Sequence, residues 1–454
     1  MNKRIYAMTL ALALPAAAQT RLPAAPAPMV AIPARAGTAP SASAGNLPTL
    51  TLQQAEQMAM RNNPRIHVGQ LLALAQHQTY RETRSAELPT ATLAATGVEA
   101  EEATRISAGS LTASRLFEHA GAGVSFTQLI YDFGHTHNLI LSQKLEEKSS
   151  NANALATAEE VVLATDQAFY NALLAQAELD VARQTVATRH TTDQQIRVMT
   201  RNKLKSTVDQ AFADVDFSQA QLLQLDAQNN ADASMAALDA ILGLDTGVRY
   251  RLVETTTAPP PPPANVGYLI RDALAQRPDL RALNYGTQSE KKYARAEREQ
   301  MLPSITAAGT AGVVPVRPDS YYTADWWGGI GGNINLPIFN GFLYNSEAQE
   351  AKFRAQADAE VARDLRDNIV RDVRTSWLQA NTAWRRMDVT AQLLQEANLA
   401  LELAQTRYKL GLSSIVELSQ AQLQQTSAQI QNSSAEYQYR LALSTLNYET
   451  GVTP

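Results

Sequence analysis

The chain has 454 residues, enough for one large domain or for two or three smaller ones. Aromatic residues make up only 6% of it, while alanine, glutamine, leucine and arginine recur throughout, a composition typical of long helices packed as coiled coils. The formal net charge of -5 gives no electrostatic reason to bind nucleic acid, and the absence of cysteine excludes disulfides, thiolate metal sites and a lipid on an N-terminal cysteine.

The first residues of the chain carry the pattern of an export signal. A basic start at Lys3 and Arg4 leads into an apolar stretch and then into the small residues Ala16–Ala18. We therefore predict a secretory signal peptide at residues 1–18. Residues 19–48 are rich in alanine and proline and are predicted to be a disordered lead-in. No later run of about 18 apolar residues occurs, so any part that crosses a membrane is expected to be β-strand.

The rest of the chain is predicted to consist of two halves of similar design, residues 49–257 and 265–454. Five consecutive prolines mark the linker between them, residues 258–264. Short landmarks recur in both halves in the same order, at an offset of about 210 residues, which indicates internal duplication. The matched segments are Asn63–Ile66 with Arg277–Leu280, Glu87–Thr90 with Met301–Ser304, Leu129–Gly134 with Leu336–Gly341, and Ser206–Asp209 with Ser414–Glu417.

Each half is predicted to contain two helices, a strand hairpin, a helix of about 60 residues and a shorter return helix. Thr51 and Gln54 have the spacing of a capping box at the first helix, and Asn265 is the corresponding cap in the second half. The long helices are expected from near Leu141 to Lys203 and from near Ser346 to Leu410. At 1.5 Å per residue each would be roughly 90 Å long and must pack beside other helices. Apolar residues seven apart favour supercoiled packing, although an ordinary helical bundle would show the same stripe.

The segment from Trp326 to Ile338 alternates between an apolar and a polar face, as a half-buried strand does. Aromatic residues at both ends, including Tyr321, Tyr322 and Phe339, resemble the girdles of membrane-spanning strands. A soluble sheet lying over helices is the alternative interpretation. The residues predicted to face lipid are Ile330, Ile334, Leu336, Ile338, Val124 and Phe126. Two hairpins supply four strands, and the smallest barrels need about eight, so a barrel would require several copies of the chain.

Taken together, these segments resemble the TolC-like outer-membrane efflux family, the outer membrane factors of tripartite exporters. The likeness runs from about Leu50 to Val452 and rests on the duplicated landmarks, on Tyr131–Gly134 and on Tyr408–Glu417. It implies a mixed α and β fold: a trimeric outer-membrane β-barrel with four strands per subunit, continued by a long periplasmic α-helical coiled-coil barrel. It also implies a location in the cell outer membrane, with the helical part in the periplasm.

The same resemblance implies a function and partners. The chain is expected to be a homotrimer that gives passive exit in efflux or type I secretion. Its expected partners are a periplasmic adaptor (membrane fusion protein), an inner-membrane pump and outer-membrane lipid. No cofactor is expected.

Residues near the helical turns are assigned roles by the resemblance. Glu417 is expected to line the pore entrance, where three copies would form a ring of carboxylates. The second acidic position of the family is occupied here by Gln420. Tyr408 and Asp209 correspond to a pair that holds the entrance shut by bonding between neighbouring helices.

The turns themselves offer a simpler interpretation of the same residues. Ser206 with Asp209, and Ser414 with Glu417, have the spacing of capping boxes. Gly411 is expected to end its helix in the left-handed conformation. Lys203 and Lys205 lie at the equivalent turn of the first half, in a basic cluster that either contacts an adaptor or is simply solvated.

No catalytic pattern is found, because the chain lacks the G-x-S-x-G, H-E-x-x-H, P-loop and Rossmann glycine motifs. We therefore predict that the protein is not an enzyme and has no metal site. The alternative function is that of a periplasmic adaptor or a structural coiled-coil protein of an export complex. An adaptor would have one helical hairpin flanked by small β-domains, whereas two hairpins are predicted here.

Overall fold

A computed structural model describes residues 48–99, 105–108, 111–115, 119–244, 250–253, 258–316 and 326–452. The predicted signal peptide, nearly all of the predicted lead-in, and Tyr321 and Tyr322 lie outside these residues. Within the described ranges, no helix combines the length and the apolar character needed to cross a membrane.

The described chain contains two successive series of helices and strands. The elements of the first series are β1 (Thr49–Leu50), α1 (Leu52–Asn62), α2 (Pro64–Arg84), a 3₁₀ turn (Ser85–Glu87), β2 (Thr90–Val98), β3 (Arg105–Ala108), β4 (Leu111–Arg115), β5 (His119–Tyr131), α3 (His135–Arg201), α4 (Thr207–Leu242) and β6 (Arg251–Leu252). The elements of the second series are α5 (Val266–Gln276), α6 (Pro278–Glu299), β7 (Ser304–Val316), β8 (Trp326–Asn335), α7 (Leu343–Lys409) and α8 (Ile415–Thr450).

The helix starts follow from local chemistry. Thr51 accepts a hydrogen bond from the backbone of Gln54, whose side chain accepts one from the backbone of Thr51, so the predicted capping box is confirmed. Asn265 caps α5 as predicted, by accepting from Gly267 N. Prolines occupy the first position of α2 and α6, where the missing N–H is no loss.

The two long helices, α3 and α7, each have 67 residues, more than the predicted 60. Each starts six or fewer residues earlier than expected because a left-handed residue turns the chain from the strand directly into the helix. These residues are Gly134, with φ of 105°, and Phe342, with φ of 66°. At 1.5 Å per residue each helix is about 100 Å long. The return helices α4 and α8 both have 36 residues.

A four-stranded antiparallel sheet has the order β2-β5-β7-β8. The central pairing of β5 with β7 joins the two series, and β2 and β8 are the edges. Strand β8 ends at Asn335, which pairs with Ser304, so the predicted extension to Ile338 is wrong. Pro337 explains the end, because it has no N–H to donate to a ladder.

Two small sheets were not anticipated from the sequence. Strands β3 and β4 form an antiparallel ribbon within the connection from β2 to β5. Strands β1 and β6 pair in parallel through Thr49 with Arg251 and Leu50 with Leu252. The pairing of β1 with β6 brings the start of the first series next to its end.

Helix α3 packs against α6, so the two series interlock. Asn138 donates to Glu299 over 2.7 Å, and Ser149 donates to the Ala282 carbonyl over 2.9 Å. The largest apolar cluster lies where α1, α3, α4 and β6 meet, around Phe169 and Leu238. The polar groups named here are hydrogen-bonded, as most buried polar groups in stable proteins are.

The proline linker is fastened to the second series. Tyr439 donates its hydroxyl hydrogen to the carbonyl of Pro260, and Trp377 donates Nε1–H to the carbonyl of Pro263 over 2.7 Å. Tyr439 is fully buried. The linker is therefore held along α7 and α8.

Candidate functional site

Two tight turns, residues 202–206 and 410–414, close the helical hairpins α3–α4 and α7–α8. Lys203 and Gly411 adopt left-handed conformations, with φ of 61° and 71°. In each turn the next residue donates its N–H back into the helix, Leu204 to Met199 and Leu412 to Arg407, both over 2.8 Å. The predicted conformation of Gly411 and its equivalence to Lys203 are confirmed.

The serine caps after the two turns differ. Ser206 and Asp209 form a complete capping box, with reciprocal bonds of 3.1 and 3.0 Å. Ser414 accepts from Glu417 N over 3.4 Å, but the Glu417 carboxylate does not return a bond to Ser414. The complete box predicted there is wrong, because Oε1 of Glu417 lies 3.1 Å from Nε of Arg407 instead. The carboxylate is therefore paired across the turn.

Tyr408 is buried near the turns, among apolar side chains from α3, α4 and α8 that include Ile196, Ile415 and Leu418. Its hydroxyl has no hydrogen-bond partner in the described chain. Burial and then the negative charge of Asp209 raise the pKa of Tyr408 to about 12. Tyr408 is therefore a neutral phenol at physiological pH.

The predicted pair of Tyr408 and Asp209 is close but is not hydrogen-bonded within the described residues. The Asp209 carboxylate accepts from the backbone N–H and the hydroxyl of Ser206, both over 3.0 Å. Lys205 instead contacts the tyrosine, with Nζ 3.7 Å from the centre of its ring. This cation–π contact joins the two hairpins. No local pattern indicates this contact, because Lys205 and Tyr408 are 203 residues apart in the chain.

Hollows flank this junction. A cavity of about 370 Å³ lies beside Tyr408 and is lined by Lys205 and Gln422 among others. A groove of about 440 Å³ between α4 and α8 contains Gln420, Val416 and Phe212. On the wall of this groove, Ser419 of α8 donates its hydroxyl hydrogen to the Asp216 carboxylate of α4.

Arg197 joins α3 to α4 just above the first turn. Its guanidinium lies 2.9 Å from Asp193 and 2.5 Å from Asp214. The two carboxylates, Asp193 first, raise the pKa of Arg197. The spacing of Asp193 and Arg197 on one helix face could have revealed the first contact, but the contact with Asp214 depends on the hairpin.

Four of the six residues predicted to face lipid share one face of the four-stranded sheet. Ile330 lies opposite Gly309, which lies opposite Phe126, and residues paired in this way point to the same side. Val124 and Ile334 fall on that side by the same register. The face is open, and Ile330 is 81% exposed.

Leu336 and Ile338 do not belong to this face, because they follow the end of β8. Both are nevertheless exposed, Ile338 to 91%. They lie in the segment that leads from the sheet to α7, next to Phe339 and Phe342.

Residues 269–452 match the profile of a known protein family, "Outer membrane efflux protein". The chain is 22% identical over 424 residues to "Outer membrane protein TolC" of Escherichia coli, covering 87% of this chain and 82% of that protein. It is 24% identical to "Toluene efflux pump outer membrane protein TtgC" of Pseudomonas putida, covering 83% and 78%. It is 20% identical to "Alkaline protease secretion protein AprF" of Pseudomonas aeruginosa, covering 65% and 62%.

The fold is similar to solved structures. Crystal structures of CusC superpose with a TM-score of 0.79 at 16% identity, covering 88% of this chain and 92% of that one. The outer membrane protein VceC of Vibrio cholerae superposes with a TM-score of 0.77 at 17% identity, covering 88% and 96%. The likeness therefore includes both the sheet and the long helices.

Proposed function

We propose that this chain is a TolC-like outer-membrane efflux protein, the outer-membrane channel subunit of a tripartite efflux or type I secretion system. It provides a passive path from a helical tunnel to the cell exterior. The observation that carries this proposal is a single sheet with two open edges that continues into two helical hairpins of matching length.

Assembly into a homotrimer is supported by the edges of the sheet. Within the described residues, β2 and β8 each present one unpaired side, which is a template for another strand. In three copies, β8 of one chain pairs with β2 of the next and closes a barrel. The face carrying Ile330 and Ile334 then meets lipid, and the face carrying Asn333 and Asn335 meets water.

The helices form the periplasmic part of the tunnel. Several large apolar side chains on α4 and α7 are exposed in the single chain, among them Leu222, Leu225, Leu399 and Leu403. Exposed apolar stripes of this kind indicate surfaces that another chain covers. Neighbouring subunits supply that cover, and the supercoiled helices enclose the path.

The turns at 202–206 and 410–414 form the end at which a periplasmic adaptor and an inner-membrane pump dock. Relatives named as parts of an efflux pump and of a protease secretion apparatus support these partners. Lys203 is exposed at its turn, as an adaptor contact requires, whereas Lys205 is partly covered by Tyr408. Glu417 contributes the negative charge at the pore entrance, and Gln420 contributes none.

The adaptor alternative is not favoured by any described feature. An adaptor has one helical hairpin, whereas this chain has two, and both grow out of one sheet. Paired helical series of matching length support the predicted internal repeat and its boundaries on either side of residues 258–264.

Detergent extraction and planar bilayer recording test the proposal. The purified protein should have the mass of three copies and should conduct ions as single channels. A stable monomer that dissolves without detergent and forms no channels would contradict the channel function. A conducting species of another copy number would contradict only the trimer.

A further inference from the structure

Arg189 of α3 is buried without any partner of opposite charge in contact. Arg189 is only 8% exposed, and its Nη1 has no hydrogen-bond partner among the described residues. It forms no ion pair within that part of the chain either. A guanidinium removed from water loses its hydration, which destabilises the charged form unless other groups replace the lost water. Burial accordingly lowers the pKa of Arg189.

Beside Arg189 lies a small cavity of about 110 Å³ where α3, α7 and α8 meet. Glutamine amides surround it, contributed by Gln184, Gln422, Gln425 and Gln429. The polar lining and the small volume suit a compact polar occupant rather than an apolar one. The site is about 18 Å from the turn at 202–206, since twelve helical residues intervene.

The donors at this cavity are not fully used. The amide of Gln422, a residue only 3% exposed, makes no side-chain hydrogen bond in the described chain. Gln184 accepts from Gln429 over 3.3 Å, which leaves its own N–H groups available. The threonine hydroxyls at the cavity donate to their own helices, as Thr426 does to Gln422 O, and so add no donors. The available groups therefore include the N–H donors of Gln422 and Gln184, and N–H donors bind anions.

Two carboxylates lie near Arg189, and neither is bonded to it. Asp216 of α4 raises its pKa through space and accepts the hydroxyl hydrogen of Ser419. Asp193, one turn along α3, is held by Arg197. The described parts of α7 and α8 place no acidic side chain at the cavity. The positive charge of Arg189 is therefore only partly compensated.

We propose that Arg189, Gln422 and Gln184 form a binding site for a small oxyanion, such as phosphate or sulfate. The planar guanidinium matches two oxygens of an oxyanion with parallel hydrogen bonds, which a spherical halide cannot satisfy. Because Arg189 lies on α3 and Gln422 on α8, the bound anion links the two helical hairpins near the turns. The inference concerns these side chains alone and does not depend on the proposed channel function.

The site can be tested by thermal unfolding of the full-length protein in detergent, with sodium phosphate replacing sodium chloride at constant ionic strength. The wild-type midpoint should rise and then saturate, as it does when a ligand binds only the folded state. Arg189→Gln should abolish the saturable rise. Arg183→Gln, an exposed arginine on the same helix, is the matched control and should behave as wild type.

A second variant distinguishes an electrostatic site from a structural effect. Asp216→Asn removes the neighbouring negative charge but keeps an oxygen to accept from Ser419, so half-saturation should move to a severalfold lower phosphate concentration. The same phosphate dependence in wild type and Arg189→Gln would overturn the proposal. So would an unchanged half-saturation in Asp216→Asn. Chloride as effective as phosphate would contradict the assignment to an oxyanion.

Discussion

Lys203 and Gly411 occupy the same left-handed position in two turns with the same hydrogen bonds. Glycine adopts this conformation without strain, whereas a side chain adds about 1 kcal/mol or more. We expect Lys203→Gly to raise the free energy of unfolding by about 1 kcal/mol and Gly411→Ala to lower it by a similar amount. Urea unfolding in mild detergent measures both. Equal and unchanged stabilities would mean that the turns relax without strain.

The pairing of Glu417 with Arg407 makes the role of the carboxylate measurable. Glu417→Gln removes the negative charge, and we expect weaker cation preference and weaker block by multivalent cations in planar bilayers. Arg407→Gln leaves the carboxylate without its partner and should change both properties in the opposite direction. If neither variant alters selectivity, the charge that governs conductance lies elsewhere in the proposed tunnel.

Glu56 of α1 lies against Asp166 of α3. Burial, and then the negative charge of Asp166, raise the pKa of Glu56 to about 7 from an ordinary 4.5. Because the folded state holds the proton more tightly, this contribution to stability is present below pH 4.5 and is lost as the pH rises through about 7. Above about pH 7 the ionised Glu56 lowers the free energy of unfolding, and Glu56→Gln should recover about 1 kcal/mol of it there. This figure allows for the screening of a partly exposed carboxylate by solvent.

Thermal unfolding at about pH 5 and pH 8 compares the two proteins on either side of that pKa. The unfolding midpoint should decrease from about pH 5 to about pH 8 in both proteins. The decrease should be larger in wild type than in the Glu56→Gln variant. Glu160→Gln, which changes an exposed carboxylate paired with Arg65, serves as the matched control. Parallel pH profiles for wild type and Glu56→Gln would contradict the assignment.

At the scale of whole elements, local signals predicted what local chemistry decides. The caps at Thr51 and Ser206 and the left-handed Gly411 depend on residues within one turn and could be predicted from spacing. The heptad pattern predicted long helices but not their first residues. Each long helix begins earlier than predicted, because a left-handed residue, Gly134 or Phe342, directly precedes it. Strand β8 begins at Trp326 as predicted but ends earlier than predicted, at Asn335, because Pro337 has no N–H to continue the ladder.

Contacts between residues far apart in the chain could not be predicted from the spacing of residues in the sequence. The pairing of β1 with β6, the contact of Lys205 with Tyr408 and the isolation of Arg189 all depend on how helices and strands meet. The resemblance to a family directed attention to the turns at 202–206 and 410–414, and the functional roles it implies there stay predictions. It did not predict that Glu417 would pair with Arg407 rather than complete a capping box.

The face assignment of β8 can be tested with adjacent residues. Ile334→Asp puts a charge on the face proposed to meet lipid. This should destabilise the membrane-inserted state by up to a few kcal/mol, depending on depth, and lower the yield of assembled protein. Asn333→Asp puts the same charge on the opposite face and should assemble nearly as wild type. Heat-modifiable trimer bands in outer-membrane fractions measure assembly. Equal yields of the two variants would contradict the assignment.

At the scale of the whole molecule, the two series are interlocked rather than merely joined by the proline linker. Helix α3 contributes Asn138, Ser142 and Ser149 to buried hydrogen bonds with α6, and β5 pairs with β7. We expect a chain cut at a protease site replacing Pro260–Pro262 to keep both fragments together in detergent. Size-exclusion chromatography under non-denaturing conditions would show one species before and after cleavage.

The control for that cleavage is the uncut variant, because any change in the contact of Tyr439 with the carbonyl of residue 260 is then present in both samples. A difference between cut and uncut protein therefore reports only on chain continuity. Fragments that separate after cleavage would mean that the linker, and not the helix and strand contacts, holds the series together.

The matching lengths of α3 with α7 and of α4 with α8 restrict how relatives of this chain diverge in size. Inserting seven residues into each helix of the second hairpin alone would move its turn about 10 Å past the first and separate Tyr408 from Lys205. An insertion that is not a multiple of seven would also rotate the apolar stripe away from its neighbours. In related proteins, the long helices should therefore differ in length by whole heptads and in both hairpins together. Insertions in one hairpin alone should be selected against.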